Sequence, residues 1–111
     1  MGRQGFLGEF EQMVLLAILR LGVEATGPAI SGELEARAGR RVSRGALYSS
    51  LDRLERKGLL RWTVAGATSE RGGQPVRNFE LTESGLESLR TSMQALLNLS
   101  SGLESTLRNA G

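Results

Sequence analysis

Ser43-Arg44-Gly45-Ala46-Leu47-Tyr48-Ser49-Ser50-Leu51-Asp52-Arg53-Leu54-Glu55-Arg56-Lys57-Gly58, followed at once by Leu59-Leu60-Arg61-Trp62-Thr63-Val64, is the stretch on which the fold turns. Leu47, Leu51 and Leu54 recur at i, i+4 and i+7, which makes one face of a helix apolar. Ser43 stands where an N-cap belongs, and Gly58 ends the pattern. Beyond Gly58 the period drops to two: Leu60, Trp62 and Val64 alternate with Arg61 and Thr63, as in a half-buried strand.

Towards the N-terminus, Phe10, Met13, Val14, Ala17, Ile18 and Leu21 keep helical spacing, so Glu9 to Leu21 reads as a helix ended by Gly22. Leu15, Leu16 and Leu19 lie off that stripe. A helix apolar over so much of its circumference must be covered on two sides, by its own core and by a partner chain. Thr26-Gly27-Pro28 is a breaker cluster expected to hold a short extended segment. Ile30, Leu34 and Ala38 then mark a second, shorter helix capped by Gly39, and Arg40-Arg41-Val42 forms the turn into Ser43.

Towards the C-terminus a second strand fits Val76 to Leu81, with Val76, Asn78 and Glu80 on one face and Arg77, Phe79 and Leu81 on the other. The connector Ala65 to Pro75 is glycine-rich and too long for a two-residue hairpin turn, so it reads as a protruding loop. Thr82 caps a last helix, with Glu83 near its positive end. Its stripe of Leu86, Leu89, Met93, Leu96 and Leu97 has little domain left to pack on. Leu103 and Leu107 extend it weakly past Ser100-Ser101-Gly102.

A chain of 111 residues without cysteine or histidine suits a single domain and excludes disulfides, thiolate nucleophiles, imidazole bases and nitrogen- or sulfur-ligated zinc. No cofactor or metal and no enzymatic activity is expected. The longest apolar stretch, Met13 to Leu19, is too short to span a bilayer and no signal-peptide pattern precedes it, so a cytoplasmic protein is expected. The formal charge is +2, but it is unevenly placed: −3 over residues 1–36, +7 over 37–77 and −2 from 78 onward. Thirteen of the fourteen cations are Arg, whose planar fork matches phosphate oxygens and guanine edges. On charge alone, a nucleic-acid surface and a solvated face weigh equally.

Three helices followed by a two-stranded ribbon with a glycine-rich tip is the order of a winged helix-turn-helix. The expected architecture is mainly α with a small antiparallel β-ribbon: a DNA-binding domain over 1–81, then a C-terminal dimerisation helix and tail over 82–111. In such a module the third helix enters the major groove and the ribbon tip lies on an adjacent backbone or minor groove. At 100° per residue, Gly45, Ser49, Asp52, Arg53 and Arg56 fall opposite the leucine stripe, with Arg44 and Tyr48 on one flank. Gly45 reads either as a first-turn glycine that costs little and needs no close neighbour, the slightly favoured reading, or as a site of close approach by a neighbour that tolerates no side chain. Tyr48 reads as a core-edge residue whose hydroxyl can reach a phosphate. Arg71 and Arg77 bracket the loop, and Gly72-Gly73 shapes a turn or an amide nest. Trp62 fits a domain edge better than a ligand pocket. Asp52 and Glu55, close to Arg56 and Lys57, fit solvated helical ion pairs better than acid/base catalysis.

Leu47-Tyr48, Leu51, Arg53-Leu54-Glu55, Gly58-Leu59-Leu60, Gly72-Gly73, Arg77-Asn78-Phe79 and Leu81-Thr82-Glu83-Ser84-Gly85 together resemble the PadR-like transcriptional regulators, from about Gly8 to Met93. The resemblance implies a homodimeric winged helix that binds double-stranded DNA at a palindromic operator, usually represses transcription and is often released by a small-molecule effector. It makes Tyr48 the recognition-helix tyrosine, turns Arg53 and the residues around Ser43 and Arg44 towards DNA, and assigns Gly72, Gly73 and Arg77 to the wing. It also builds the dimer from the C-terminal helix, about Thr82 to Leu99, and the partner's first helix, with no separate effector domain. Ser49 stands where many members have proline, and Asn78-Phe79 where an aromatic pair is common; both bear on operator preference.

The expected DNA surface is therefore Ser43, Arg44, Tyr48, Ser49, Arg53, Arg71, Gly72, Gly73 and Arg77. The expected dimer contacts are Leu15, Leu16, Leu19, Leu86, Leu89, Met93, Leu96 and Leu97. The rival is a winged helix that binds an acidic protein partner through the same basic face.

Overall fold

The computed structural model describes residues 6–65 and 76–110. Helices α1 (Glu9–Leu21), α2 (Gly27–Ala38) and α3 (Arg44–Arg56) precede strands β1 (Leu60–Ala65) and β2 (Val76–Leu81), and α4 (Glu83–Ser100) and α5 (Glu104–Arg108) close the chain. Residues 66–75, which carry the expected wing residues Arg71, Gly72 and Gly73, lie outside the described residues.

Local chemistry sets these boundaries. The Ser43 hydroxyl accepts the Ala46 amide at 3.1 Å and starts α3, while Thr82 accepts the Gly85 amide at 3.0 Å and starts α4. Gly39 ends α2 at φ 63°, a left-handed conformation open to glycine at little steric cost. Gly102, at φ 87°, separates α4 from α5. Thr26-Gly27-Pro28 does not form the expected extended segment. Thr26 instead caps α2 by accepting the Ala29 amide, with Pro28 in the first turn where it forfeits no helical hydrogen bond. All that remains of the extended segment is one bridge, Thr26 to Asn78, beside a 2.9 Å hydrogen bond from the Phe79 amide to the Ala25 carbonyl. These contacts cover part of the outer edge of β2.

The strands pair antiparallel with Leu60 opposite Leu81, Trp62 opposite Phe79 and Val64 opposite Arg77. Leu60 and Phe79 point into a core shared with Val14, Leu15 and Ile18 of α1, Ile30 and Leu34 of α2, and Leu47, Leu51 and Leu54 of α3. Each such side chain contributes about 1.5–3 kcal/mol by leaving water. Ser50, between the α3 leucines, is also buried. The shared core fixes α3 against the ribbon.

Two of the expected dimer contacts need correction. Leu15 and Leu89 are 0% and 3% exposed inside a single protomer, where both belong to its own core. Leu89 anchors the start of α4 on the domain, and one turn further on Ser92 accepts the Leu7 amide at 2.9 Å, tying α4 to the segment ahead of α1. Leu16, Leu19, Leu86, Leu96 and Leu97 remain exposed, and Met93 is half-buried. Among the described residues no helix is long and apolar enough to cross a membrane, and no acidic cluster could hold a metal ion.

Candidate nucleic-acid interface

With its leucines turned inward, α3 presents Ser43 at its cap, then Arg44, Gly45, Ser49, Arg53 and Arg56, all exposed. The charges on this face differ from those elsewhere. Arg37, Arg40, Arg41, Lys57, Arg61 and Arg77 each lie within 4.0 Å of a carboxylate. Among the described residues, no carboxylate pairs with Arg44, Arg53 or Arg56. Three guanidinium groups on one helix thus lack a described carboxylate partner, with Arg53 donating to the Ser50 hydroxyl at 3.2 Å, and they leave this face net positive.

Beside the start of α3 lies an open groove of about 610 Å³, lined by Gly27, Pro28, Arg44, Gly45, Tyr48, Val76 and Arg77. Tyr48 is half-buried, with the guanidinium carbons of Arg44 and Arg77 at 5.5 and 5.6 Å from its ring centroid. Its hydroxyl end packs so closely on the start of α2 that a Cβ built on Gly27 would sit 1.8 Å from the oxygen. A side chain at 27 would force the Tyr48 ring out of this contact. Around Gly45, in contrast, no atom of the described residues lies within 4 Å of a built Cβ, so the described groove is open there.

Arg77 departs from the free wing cation expected of it. Its guanidinium lies 5.0 Å from the Trp62 ring centroid and 5.4 Å from that of Phe79, and reaches Asp52 at 3.4 Å. Asp52 is accordingly paired across to β2, which corrects the expected ion pairing within the helix. Lys57 is likewise committed elsewhere, to Glu11 at 2.8 Å. Burial pushes the Glu11 carboxyl up, but the Lys57 hydrogen bond, the Gly8 amide and the charges of Lys57 and Arg53 outweigh it and hold Glu11 below its ordinary value. Trp62 is half-buried at the domain edge, as expected, with its indole nitrogen buried and without a hydrogen-bond partner among the described residues.

The Gly27–Tyr48, Arg77–Asp52 and Lys57–Glu11 contacts are not visible in the local sequence pattern. Each joins residues 21 to 46 positions apart, beyond the range of helical or strand periodicity. The only local signal was the Thr26-Gly27-Pro28 cluster, read there as a chain break.

A helix-turn-helix whose second helix bears unneutralised arginines, followed by an antiparallel ribbon and a long C-terminal helix, is a winged helix-turn-helix of the kind that regulates transcription. A family model, the Transcriptional regulator PadR-like family, matches residues 15–91, and the chain belongs to that family: it is a DNA-binding transcriptional regulator. The fold is similar to a PadR-like regulator from Bacillus cereus at 24% identity and TM-score 0.69, with 92% of this chain and 93% of that one covered. It is also similar to PadR-family proteins from Eggerthella lenta (28%, TM-score 0.65, 92% and 88% covered) and Bacteroides fragilis (26%, TM-score 0.68, 87% and 88% covered). No curated protein matches the chain by sequence.

Proposed function

We propose that two copies of this chain associate through α1 and α4 and act as a repressor on a palindromic operator. The observation that carries the reading is the separation of two surfaces. Arginines without described carboxylate partners occupy the outer face of α3, while Leu16, Leu19, Leu86, Leu96 and Leu97 leave apolar side chains in water on α1 and α4. A second protomer would cover these apolar side chains, and a two-fold axis carries one α3 to each half-site.

In the complex Arg44 and Arg53 meet phosphates or guanine edges, the Ser43 and Ser49 hydroxyls hydrogen-bond within the groove, and Tyr48 offers its hydroxyl to the backbone. Arg71, Gly72 and Gly73 belong to the wing that contacts the flanking backbone. Half-sites about 34 Å apart would match one helical turn. Repression follows where the operator overlaps a promoter. A small molecule that releases the DNA binds where the protomers meet, among Met93 and the neighbouring leucines, and alters the spacing of the two α3 helices.

Light scattering paired with gel shifts across a salt series tests this reading. The expected result is a dimer whose affinity falls steeply as salt rises, with a slope lowered by about one per half-site for Arg53→Ala. A monomer that retains no duplex at low salt would overturn it.

A further inference from the structure

Arg77 is the residue whose surroundings depart furthest from a simple phosphate contact. Its side chain is only 31% exposed, its charge is answered by Asp52 at 3.4 Å, and three aromatic rings lie within 5.6 Å of its guanidinium. Those groups come from different elements: Tyr48 and Asp52 from α3, Trp62 from β1, Phe79 from β2. Tyr48 in turn abuts Gly27 at the start of α2. A single planar cation therefore connects the recognition helix to both strands at the root of the wing. We propose that Arg77 is a positioning residue, which sets the angle between α3 and the ribbon by stacking among Tyr48, Trp62 and Phe79 and pairing with Asp52, and does not bind a DNA phosphate itself.

The physical case rests on what leaving would involve. To reach a phosphate the guanidinium must give up its carboxylate and its ring contacts, each contact with a ring adding attraction that strengthens as water is excluded. Arg44 and Arg53 are exposed and have no described carboxylate partner, so they would give up less: one ring contact, to Tyr48, for Arg44, and one hydrogen bond, to the Ser50 hydroxyl at 3.2 Å, for Arg53. The planar, delocalised cation also explains the choice of residue. An ammonium is a compact, strongly hydrated point charge and cannot lie against several rings at once. Asp52, on a face otherwise aimed at an anion, gains a role from the same arrangement: it holds Arg77 and is held by it.

The inference rests on the DNA-binding reading, and the experiment separates the two. Binding of a duplex operator is measured over a salt series for the full chain and for Arg77→Ala, Arg77→Lys and Arg53→Ala, alongside the emission of Trp62, the chain's sole tryptophan. Positioning predicts that Arg77→Ala binds on the order of tenfold more weakly with an unchanged salt slope and a shifted Trp62 emission. It also predicts that Arg77→Lys fails to restore either affinity or emission, while Arg53→Ala lowers the slope with emission unchanged. A slope lowered by about one per half-site in Arg77→Ala, full rescue by lysine, or unchanged affinity in Arg77→Ala overturns the proposal. Should Arg77→Ala fail to fold, Arg77→Lys decides: retained affinity and emission count against positioning, and loss of both supports it. Absence of binding by the unsubstituted chain would defeat the functional reading instead.

Discussion

Gly45→Ala separates folding from recognition at one atom. Gly45 occupies the second position of α3 without a positive φ, and a Cβ built there meets no atom of the described residues within 4 Å. The free protein therefore accommodates the methyl group, and alanine's lower backbone entropy in the unfolded chain adds roughly 0–1 kcal/mol of stability. For a domain of this size that corresponds to a rise of about 0–4 °C in melting temperature. In the proposed complex the same open space lies between Arg44 and Ser49, on the face of α3 that would turn to the groove. A methyl group wedged against a base edge or sugar there weakens binding by about 1–3 kcal/mol, comparable to one mismatched base pair. Thermal melts followed by circular dichroism and fluorescence anisotropy on a labelled duplex read the two quantities separately. An unchanged or higher melting temperature with affinity lowered at least about fivefold is expected. Affinity within about twofold of the unsubstituted chain would refute close approach at this position.

Gly85→Ala behaves in the opposite way, because its Cβ would lie 2.1 Å from the Leu59 carbonyl oxygen, a backbone atom that cannot swing aside. Denaturant unfolding should show a loss of about 1–3 kcal/mol, exceeding the helix-propensity gain of alanine. Leu96→Glu and Leu97→Glu together place charges on the exposed apolar face of α4, and sedimentation should show the dimer dissociating while the circular dichroism stays helical; a persisting dimer would move the interface elsewhere. Glu11 is held below its ordinary value of 4.5, so its contribution is present at neutral pH and disappears as pH falls through that lowered value. Melting temperature recorded against pH should therefore fall less steeply on acidification in Glu11→Gln than in the unsubstituted chain, and parallel curves would remove Glu11 from the linkage.

The elements were readable because their signals are local. Leu47, Leu51 and Leu54 with Ser43 ahead of them fixed α3, and the alternation of Leu60, Trp62 and Val64 fixed β1, though only Leu60 and Trp62 turn inward and Val64, past the end of the core, is exposed. Leu15 and Leu89 were misassigned for a definable reason: spacing shows that a side chain will be buried, but not whether its own domain or a partner covers it. Leu89 lies one helical turn beyond Gly85, where α4 packs against Leu59, and only the tertiary approach reveals that. The exposure of Arg53 was readable, because it stands opposite the leucine stripe by angle, and that of Arg44 because it falls on the flank of the same helix. The partners of Arg77 and Asp52 were not readable, because the rings and the opposite charge that engage them arrive from other elements.

The measurement closest to the central claim is selection of duplexes from a random pool by the full chain, followed by sequencing of those retained. If two α3 helices read one operator around a two-fold axis, the retained pool converges on an inverted repeat with half-site centres about one helical turn apart. A pool that stays random, or converges on a single unrepeated site, contradicts it.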